Sequence, residues 1–340
     1  MTAIRIGIIG YGQWGPNHVR NFSACPNAQV AAIADSRSER LRAARATAGH
    51  VPHHFATYQE LLHSGTVDAV VVATPTATHG VIVREALEAG LHVLCEKPLC
   101  ATAAEGEALV ELARRQRRLL MVGHVFLFNS GILKLREYLQ AGTLGDLYYL
   151  SARRTNLGPI REDVNVAYDL AAHDLAIFQF LLGRRPTELS AVGRSFLQPN
   201  IQDVAFITLT YPPQTLAHIQ VSWLDPKKVR EITLVGSRKM AVWNDLASAG
   251  PVMLYDVGVL REQYYDDFGH FQLLPREGDI TIPRVQMEEP LRAQSRYFLR
   301  CIERGAIEYS DGSGGVEVVR LLEAVNRSMA QGGQPVRLEG

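Results

Sequence analysis

Ile4-Arg5-Ile6-Gly7-Ile8-Ile9-Gly10-Tyr11-Gly12-Gln13-Trp14-Gly15 opens the chain as an apolar run that ends in three spaced glycines. The run has the length and composition of a buried strand, and the residues after Gly15 have the pattern of a helix. In that setting each glycine has a task. Gly10 permits the tight turn, Gly12 lets a pyrophosphate come close to the backbone, and Gly15 lets helix and strand pack together. Phosphate charge then meets the free N–H groups at the helix N-terminus. Asp35 closes the second apolar run twenty residues after Gly15, where a carboxylate accepts hydrogen bonds from an adenosine ribose. The same carboxylate repels a 2′-phosphate, so the expected cofactor is NAD in preference to NADP. Arg37 and Arg40 soften that preference.

Working outward, Gln29–Ala34, Ala69–Ala73, His92–Cys95 and Leu119–Val122 repeat the short apolar run, separated by helix-like stretches at Trp14–Phe22, Ser38–Thr47, Thr78–Ala89 and Ala103–Arg117. Strands that are nearly all apolar, each followed by a helix, indicate a parallel sheet covered on both faces. Ser38, Thr78 and Thr102 occupy the expected N-cap positions. Past Gly123 the rhythm changes. Ala205–Tyr211 and Ala217–Trp223 alternate apolar and polar residues around a Pro212-Pro213-Gln214 turn, as half-buried antiparallel strands require. Further strand-like pieces cover Glu188–Phe196, Glu231–Val242 and Pro251–Leu260, and Leu291–Arg304 and Val316–Met329 read as closing helices. The expected fold class is α/β. It combines a Rossmann, doubly wound parallel sheet over residues 1–123 with an α+β domain over 124–340 that carries a large, mostly antiparallel sheet, substrate binding and oligomerisation.

Composition narrows the partners. The 340 residues balance 35 Lys and Arg against 35 Asp and Glu, so no net field gathers nucleic acid or an anionic membrane. The longest uncharged stretch, Val204–Leu224, is broken by two prolines and cannot span a bilayer. The first strand begins almost at Met1, which leaves no room for a secretory signal, and a cytoplasmic location is expected. Cys25, Cys95, Cys100 and Cys301 are too few and too irregularly spaced for a disulfide framework or zinc site, and are expected as buried thiols. His53 and His54 lack a third ligand at supporting spacing, so no metal is expected. His124 and His270 likewise carry no expected role.

Thr74-Pro75-Thr76 follows the fourth strand and Glu96-Lys97-Pro98-Leu99 the fifth, both at the sheet edge where open α/β folds bind ligands. By position alone the Glu-Lys pair is as readily a solvated loop. Asp169 and His173 alone are as readily a helix cap and a buried helix histidine.

Taken together, the glycine motif, Ala34-Asp35, Ala73-Thr74-Pro75 with His79, Glu96-Lys97-Pro98 and Asp169-Leu170-Ala171-Ala172-His173-Asp174 resemble the Gfo/Idh/MocA oxidoreductases. That family is named after glucose-fructose oxidoreductase, inositol dehydrogenase and the rhizopine-catabolism protein, and the likeness covers essentially the whole chain. Gly12 through Asn17, Val19 through Phe22, and Asn156-Leu157-Gly158 with Arg161, Asp163, Val164 and Asn165 are most similar to its sugar 3-dehydrogenase branch, which acts on nucleotide sugars and in aminoglycoside pathways. Ala172 departs from that branch, which often has Pro there. The resemblance implies a cofactor set of Gly10, Gly12, Gln13, Trp14, Gly15, Asp35, Arg40, Thr74, Pro75, His79, Glu96 and Lys97, and a Lys97–Pro98 peptide that is often cis.

It also implies roles. Lys97 steadies the developing alkoxide, His173 is the general acid/base, and Asp169, expected one helical turn before it, orients the imidazole. Asn156, Arg161, Asn165 and Tyr168 are the expected sugar contacts, with Arg161 suited to a phosphate or carboxylate, while Glu162 and Asp163 would suit an aminoglycoside. Tyr264, Tyr265, Phe268 and Phe271 suggest a subunit contact, in keeping with relatives that pair their sheets into homodimers and homotetramers. The expected activity is NAD-dependent oxidation of a sugar secondary hydroxyl, with a ketosugar reductase and a non-catalytic NAD-binding sensor as alternatives.

Overall fold

The computed structural model describes residues 3–248, 250–261 and 273–338, and these fall into two compact units. The first comprises residues 1–128 and 288–323. Its order is β1 (Ile4–Ile9), α1 (Gly15–Ser23), β2 (Ala28–Ala34), α2 (Ser38–Thr47), β3 (His53–Phe55), α3 (Tyr58–His63), β4 (Ala69–Val72), α4 (His79–Glu88), β5 (His92–Glu96), α5 (Ala103–Gln116) and β6 (Leu120–Gly123). All six strands are parallel, in the order β3-β2-β1-β4-β5-β6. That is the doubly wound arrangement, whose ligand crevice opens where the order reverses, between β1 and β4. The apolar composition of the strands follows from cover on both faces: all of β4 and most of β1, β2 and β5 are buried.

The second unit comprises residues 129–287 and 324–340. It contains α6 (Ser130–Gln140), β7 (Leu147–Leu157), α7 (Ala172–Leu182), β8 (Glu188–Arg194), β9 (Val204–Tyr211), β10 (Thr215–Ser222), β11 (Leu224–Gly236), β12 (Met240–Asn244), β13 (Val252–Tyr255), β14 (Gly258–Arg261), β15 (Leu273–Arg276) and β16 (Ile280–Thr281). After α8 (Pro290–Arg304) and α9 (Gly312–Ala330) the chain ends its regular structure in β17 (Val336–Arg337). Nine strands form one sheet in the order β16-β13-β12-β11-β7-β10-β9-β8-β17, antiparallel except for the β10–β7 pair.

Several details differ from the sequence reading. The two compact units are discontinuous in sequence. The helix α8 joins the first unit because its apolar face packs against α1, with Phe22 and Phe298 edge to face. Glu231–Val242 is a hairpin of β11 and β12, and Pro251–Leu260 divides between β13 and β14, which lie in different sheets. Continuous β-propensity hides a turn that contains neither Pro nor Asn. Ser38 is the first helical residue of α2 and Arg37 holds the cap position. The Thr78 hydroxyl donates to Thr74 Oγ1 and the Pro75 carbonyl instead of capping α4, while Thr102 caps α5 as expected. All four cysteines are buried. The segment holding Tyr264, Tyr265, Phe268, His270 and Phe271 lies outside the described residues. Among the described residues no helix is long and apolar enough to cross a membrane.

The second unit is pinned by a buried ion pair. Arg154 on β7 donates to Asp174 on α7 through Nε at 2.9 Å and Nη2 at 2.8 Å, and both side chains are at most 3% exposed. Removing one partner leaves a charge stranded in the interior, whereas removing both does not. Asp174→Leu is therefore expected to cost about 3–5 kcal/mol in urea unfolding, and Arg154→Met combined with Asp174→Leu to recover most of that loss. A double variant as unstable as the single would show that the pair's charge balance is not what secures α7.

Candidate active site

The first unit's site is built on the turn between β1 and α1. Gly10 has φ of 95°, and a Cβ there would lie 2.6 Å from the Ala73 carbonyl oxygen. A Cβ on Gly15 would collide with the Gly10 carbonyl oxygen, so only glycine lets the helix start this close to the strand. Trp14 holds the cap position of α1 without a side-chain hydrogen bond, and Pro16 sits in the first turn. The helix's leading N–H groups are thus left for a ligand. At the end of β2, Asp35 Oδ2 accepts from Tyr11 N at 2.7 Å and Oδ1 from Arg37 N at 2.8 Å. Arg40 Nη1 stands 3.9 Å from the same carboxylate and reaches over Gly12. Asp35 and Arg40 line a cavity of about 530 Å³ with Gly10, Thr74, Pro75 and Thr78. Glycines shaped for close approach, free helix N–H groups and a fixed carboxylate beside that cavity fit an adenine dinucleotide.

His79 ties the neighbouring loops together. Its Nδ1 lies 2.8 Å from the Pro98 carbonyl and its Nε2 2.8 Å from the Thr74 carbonyl. The Lys97–Pro98 peptide is cis. Because β1, β4 and β5 run parallel, Lys97, which follows β5, lies at the same sheet edge as the turns after β1 and β4. Glu96 faces inward: Oε1 pairs with His18 Nε2 on α1 at 2.8 Å, and Oε2 accepts Lys97 N at 3.3 Å. Gln13 and Trp14 are exposed on the glycine turn.

Two participants escaped the sequence reading. His18 lies among the buried positions of α1 with Gly15, Val19, Asn21 and Phe22, and a polar residue between apolar helix positions was the available signal. His124 follows β6 and is 3% exposed, with neither ring nitrogen hydrogen-bonded among the described residues. Burial, reinforced by the Lys97 charge, pushes its imidazole down to about 4.

In the second unit, Asp169 is not on a continuous α-helix as expected. Ala167–Ala171 form a π-helical turn ahead of α7, in which Ala172 N–H reaches back to the Ala167 carbonyl. Such turns recur at functional sites. The wider turn directs the Asp169 carboxylate to two partners: Trp223 Nε1 donates to Oδ2 at 3.1 Å and Arg161 Nη1 to Oδ1 at 3.4 Å. Trp223 is fully buried at the end of β10. His173 is the second residue of α7. The turn itself is held by Asn165, whose Oδ1 accepts Tyr168 N at 3.2 Å while Nδ2 donates to Gln202 and Asn326. That makes Asn165 a brace for Tyr168 and Asp169. Arg161 clasps Asp163 with Nε at 2.9 Å and Nη2 at 2.6 Å, so its fork is not held open for an anion. Asn156 is half-buried near the end of β7.

Residues 4–124 match the oxidoreductase family model with an NAD-binding Rossmann fold, and residues 132–242 match the GFO/IDH/MocA C-terminal domain. The chain belongs to the GFO/IDH/MocA oxidoreductase family. It is 29% identical to a UDP-N-acetylglucosamine 3-dehydrogenase of Acidithiobacillus ferrooxidans over 94% of this chain and 95% of that one. It is 35% identical to inositol 2-dehydrogenase 2 of Paenarthrobacter aurescens over 64% of this chain and 68% of that one. The crystal structure of an inositol dehydrogenase homologue from Azotobacter vinelandii, complexed with NADH and myo-inositol, shares the fold with a TM-score of 0.81 at 24% identity, covering 99% of this chain and 98% of that one. The chain is thus an NAD-binding oxidoreductase with sugar dehydrogenases among its relatives.

Two outcomes follow from this geometry. Gly15→Ala forces α1 away from the Gly10 carbonyl, and NADH titrated by fluorescence should bind at least about tenfold more weakly, the equivalent of about 1.4 kcal/mol. For His124, the folded chain keeps the imidazole neutral down to about 4, whereas the unfolded chain protonates near the ordinary 6.5. The unfolded state therefore binds the extra proton between these values, and stability falls as pH is lowered through that window, by at most about 1.4 kcal/mol per pH unit. Urea midpoints between pH 7 and pH 4 should show a shallower slope for His124→Asn than for the parent, and identical slopes would remove His124 from the account.

Proposed function

We propose that the chain oxidises a secondary hydroxyl, at C3, of a sugar, nucleotide sugar or aminoglycoside to a ketone, in amino-sugar or antibiotic biosynthesis. The observation that carries this reading is Lys97 at the carboxyl end of β5, one sheet edge with the glycine turn, flanked by the inward Glu96 and the cis Pro98. Bound NAD would supply the hydride acceptor. Gly10, Gly12, Gly15, Asp35 and Arg40 would hold it, with Thr74, Pro75 and His79 forming the wall after β4.

The chain's own chemistry is proton transfer and charge stabilisation. His173 removes the hydroxyl proton, a step for which imidazole is the usual side chain. The Lys97 ammonium offsets the negative charge that grows on the alcohol oxygen. Asp169, tied to Trp223 and Arg161, steadies the base and accepts from a sugar hydroxyl. Tyr168 and Asn156 supply further polar contacts to the ring. The same groups run the reduction of a 3-ketosugar, with His173 returning the proton.

A second copy of the chain is the proposed partner of the nine-stranded sheet, as a homodimer or homotetramer. Val192, Phe206, Leu216 and Tyr149, each 40–51% exposed, share one face across β8, β9, β10 and β7. Sedimentation of Phe206→Asp should show a smaller species than the parent chain, and an unchanged size would refute this interface.

The catalytic assignment is tested with Lys97→Met and His173→Ala. Each should lower kcat on an active sugar by on the order of 10²–10⁴-fold while NADH affinity stays within a few-fold. Turnover near the parent value for His173→Ala withdraws it as the base. Nicotinamide absorbance, followed with hydroxyl sugars and NAD⁺ or with ketosugars and NADH, reads the direction. If NAD binds and neither set reacts, a sensor role replaces the enzyme.

A further inference from the structure

Which sugars would the site accept? Arg161 is the cation that touches Asp169, four residues before the proposed base His173. Its guanidinium has five N–H donors. Two of them clasp both oxygens of Asp163, at 2.9 and 2.6 Å, and a third reaches Asp169 at 3.4 Å. The Arg161 carbonyl is in turn fixed by Gln198 Nε2 at 3.1 Å, so the backbone does not leave the guanidinium free to swing elsewhere. The pairing is mutual: Arg161 holds the Asp163 carboxyl below its ordinary range, and Asp163 holds the guanidinium above its own. One positive charge thus faces two carboxylates, Asp163 and Asp169.

We infer that Arg161 acts here as a neutralised hydroxyl donor, and that the substrate is an uncharged or amine-bearing sugar or cyclitol and not a nucleotide diphosphate or a uronate. The inference rests on the dehydrogenase reading and narrows its substrate. Two N–H groups of Arg161 remain for hydroxyl oxygens, which need donors but no charge. An anionic group would have to displace Asp163 from a bidentate pair, and afterwards it would lie beside Asp163 and Asp169. An ammonium group gains from the same two carboxylates. Exposed cations of this unit that an anionic substrate would have to recruit instead include Lys227 and Lys228, in the irregular stretch of β11 between the Leu224–Leu157 and Val229–Thr155 pairings.

The test uses the full chain loaded with NADH and four probes: myo-inositol, an aminocyclitol, glucuronate and UDP-N-acetylglucosamine. Calorimetry gives affinities, and initial rates with NAD⁺ give kcat/KM. The expected order places myo-inositol or the aminocyclitol at least about tenfold above both anions, in line with the strength of one charge-assisted contact. Asp163→Asn frees the Arg161 charge and should move the anion-to-neutral ratio toward the anions by about tenfold, with the melting temperature unchanged because the residue is exposed. Tighter binding or faster turnover of glucuronate or the nucleotide sugar overturns the inference while leaving the dehydrogenase standing, and loss of that preference in Lys227→Ala/Lys228→Ala would identify the cations used. Binding in the expected order without any turnover keeps the charge inference and sinks the dehydrogenase reading. Binding of none of the four, or a ratio that Asp163→Asn does not move, also overturns it.

Discussion

A buried strand that turns straight into a helix leaves no space for side chains where the two meet, and the first unit is organised around that constraint. The Gly10 carbonyl sits where a Cβ on residue 15 would have to be. Meeting the constraint with glycine brings the helix N-terminus to the sheet edge with its leading N–H groups unused. The Asp35 carboxylate then serves two purposes. It satisfies Tyr11 N and Arg37 N, which locks the glycine turn to the end of β2, and it is held at the cavity wall where a ribose needs an acceptor. Structural and ligand-directed demands fall on the same carboxylate, so its replacement would loosen the turn as well as the binding.

How much of this was legible in the sequence depends on the range of the interactions. Five of the six parallel strands were read from apolar runs because burial on both faces leaves a local signature, whereas the short, partly exposed β3, His53–Phe55, carries none. Asp35 and the glycines were read because their spacing is fixed by one βαβ unit. The Asp169–Trp223 bond joins residues 54 apart, and nothing near Trp223 announces a carboxylate partner. Arg154–Asp174 was invisible for the same reason. It places an arginine in the middle of a strand whose neighbours Leu150 and Ala152 are buried on the same face, against the usual exclusion of charge from cores. The π turn was missed because its sequence is compatible with an ordinary helix. Only the bracing of Asn165 to Gln202 and Asn326 shows why the backbone widens there.

The polar pairs of the second unit differ in what they can tolerate. Arg154 and Asp174 are at most 3% exposed, so a change at either leaves a buried, uncompensated charge. They hold α7 against β7, and with it the backbone that presents His173. Arg161 and Asp163 have side chains 37% and 55% exposed, where water screens the pair and its net contribution to stability is at most about 1 kcal/mol. The interior pair is thus constrained by folding, whereas the exposed pair is free to vary with the ligand.

That difference bears on how one scaffold serves many sugars. A site whose selectivity resided in the buried pair could not change substrate without repaying several kcal/mol elsewhere in the fold. Placing the charge balance on the loop between β7 and the π turn separates the two demands. Glu162 and Asp163 can be exchanged there while Trp223 and Asn165 continue to hold Asp169 and its turn. Under the proposed assignment, His173 and Asp169 therefore remain in regular or braced structure, and the charge offered to a sugar is set a few residues away by side chains that stability scarcely constrains.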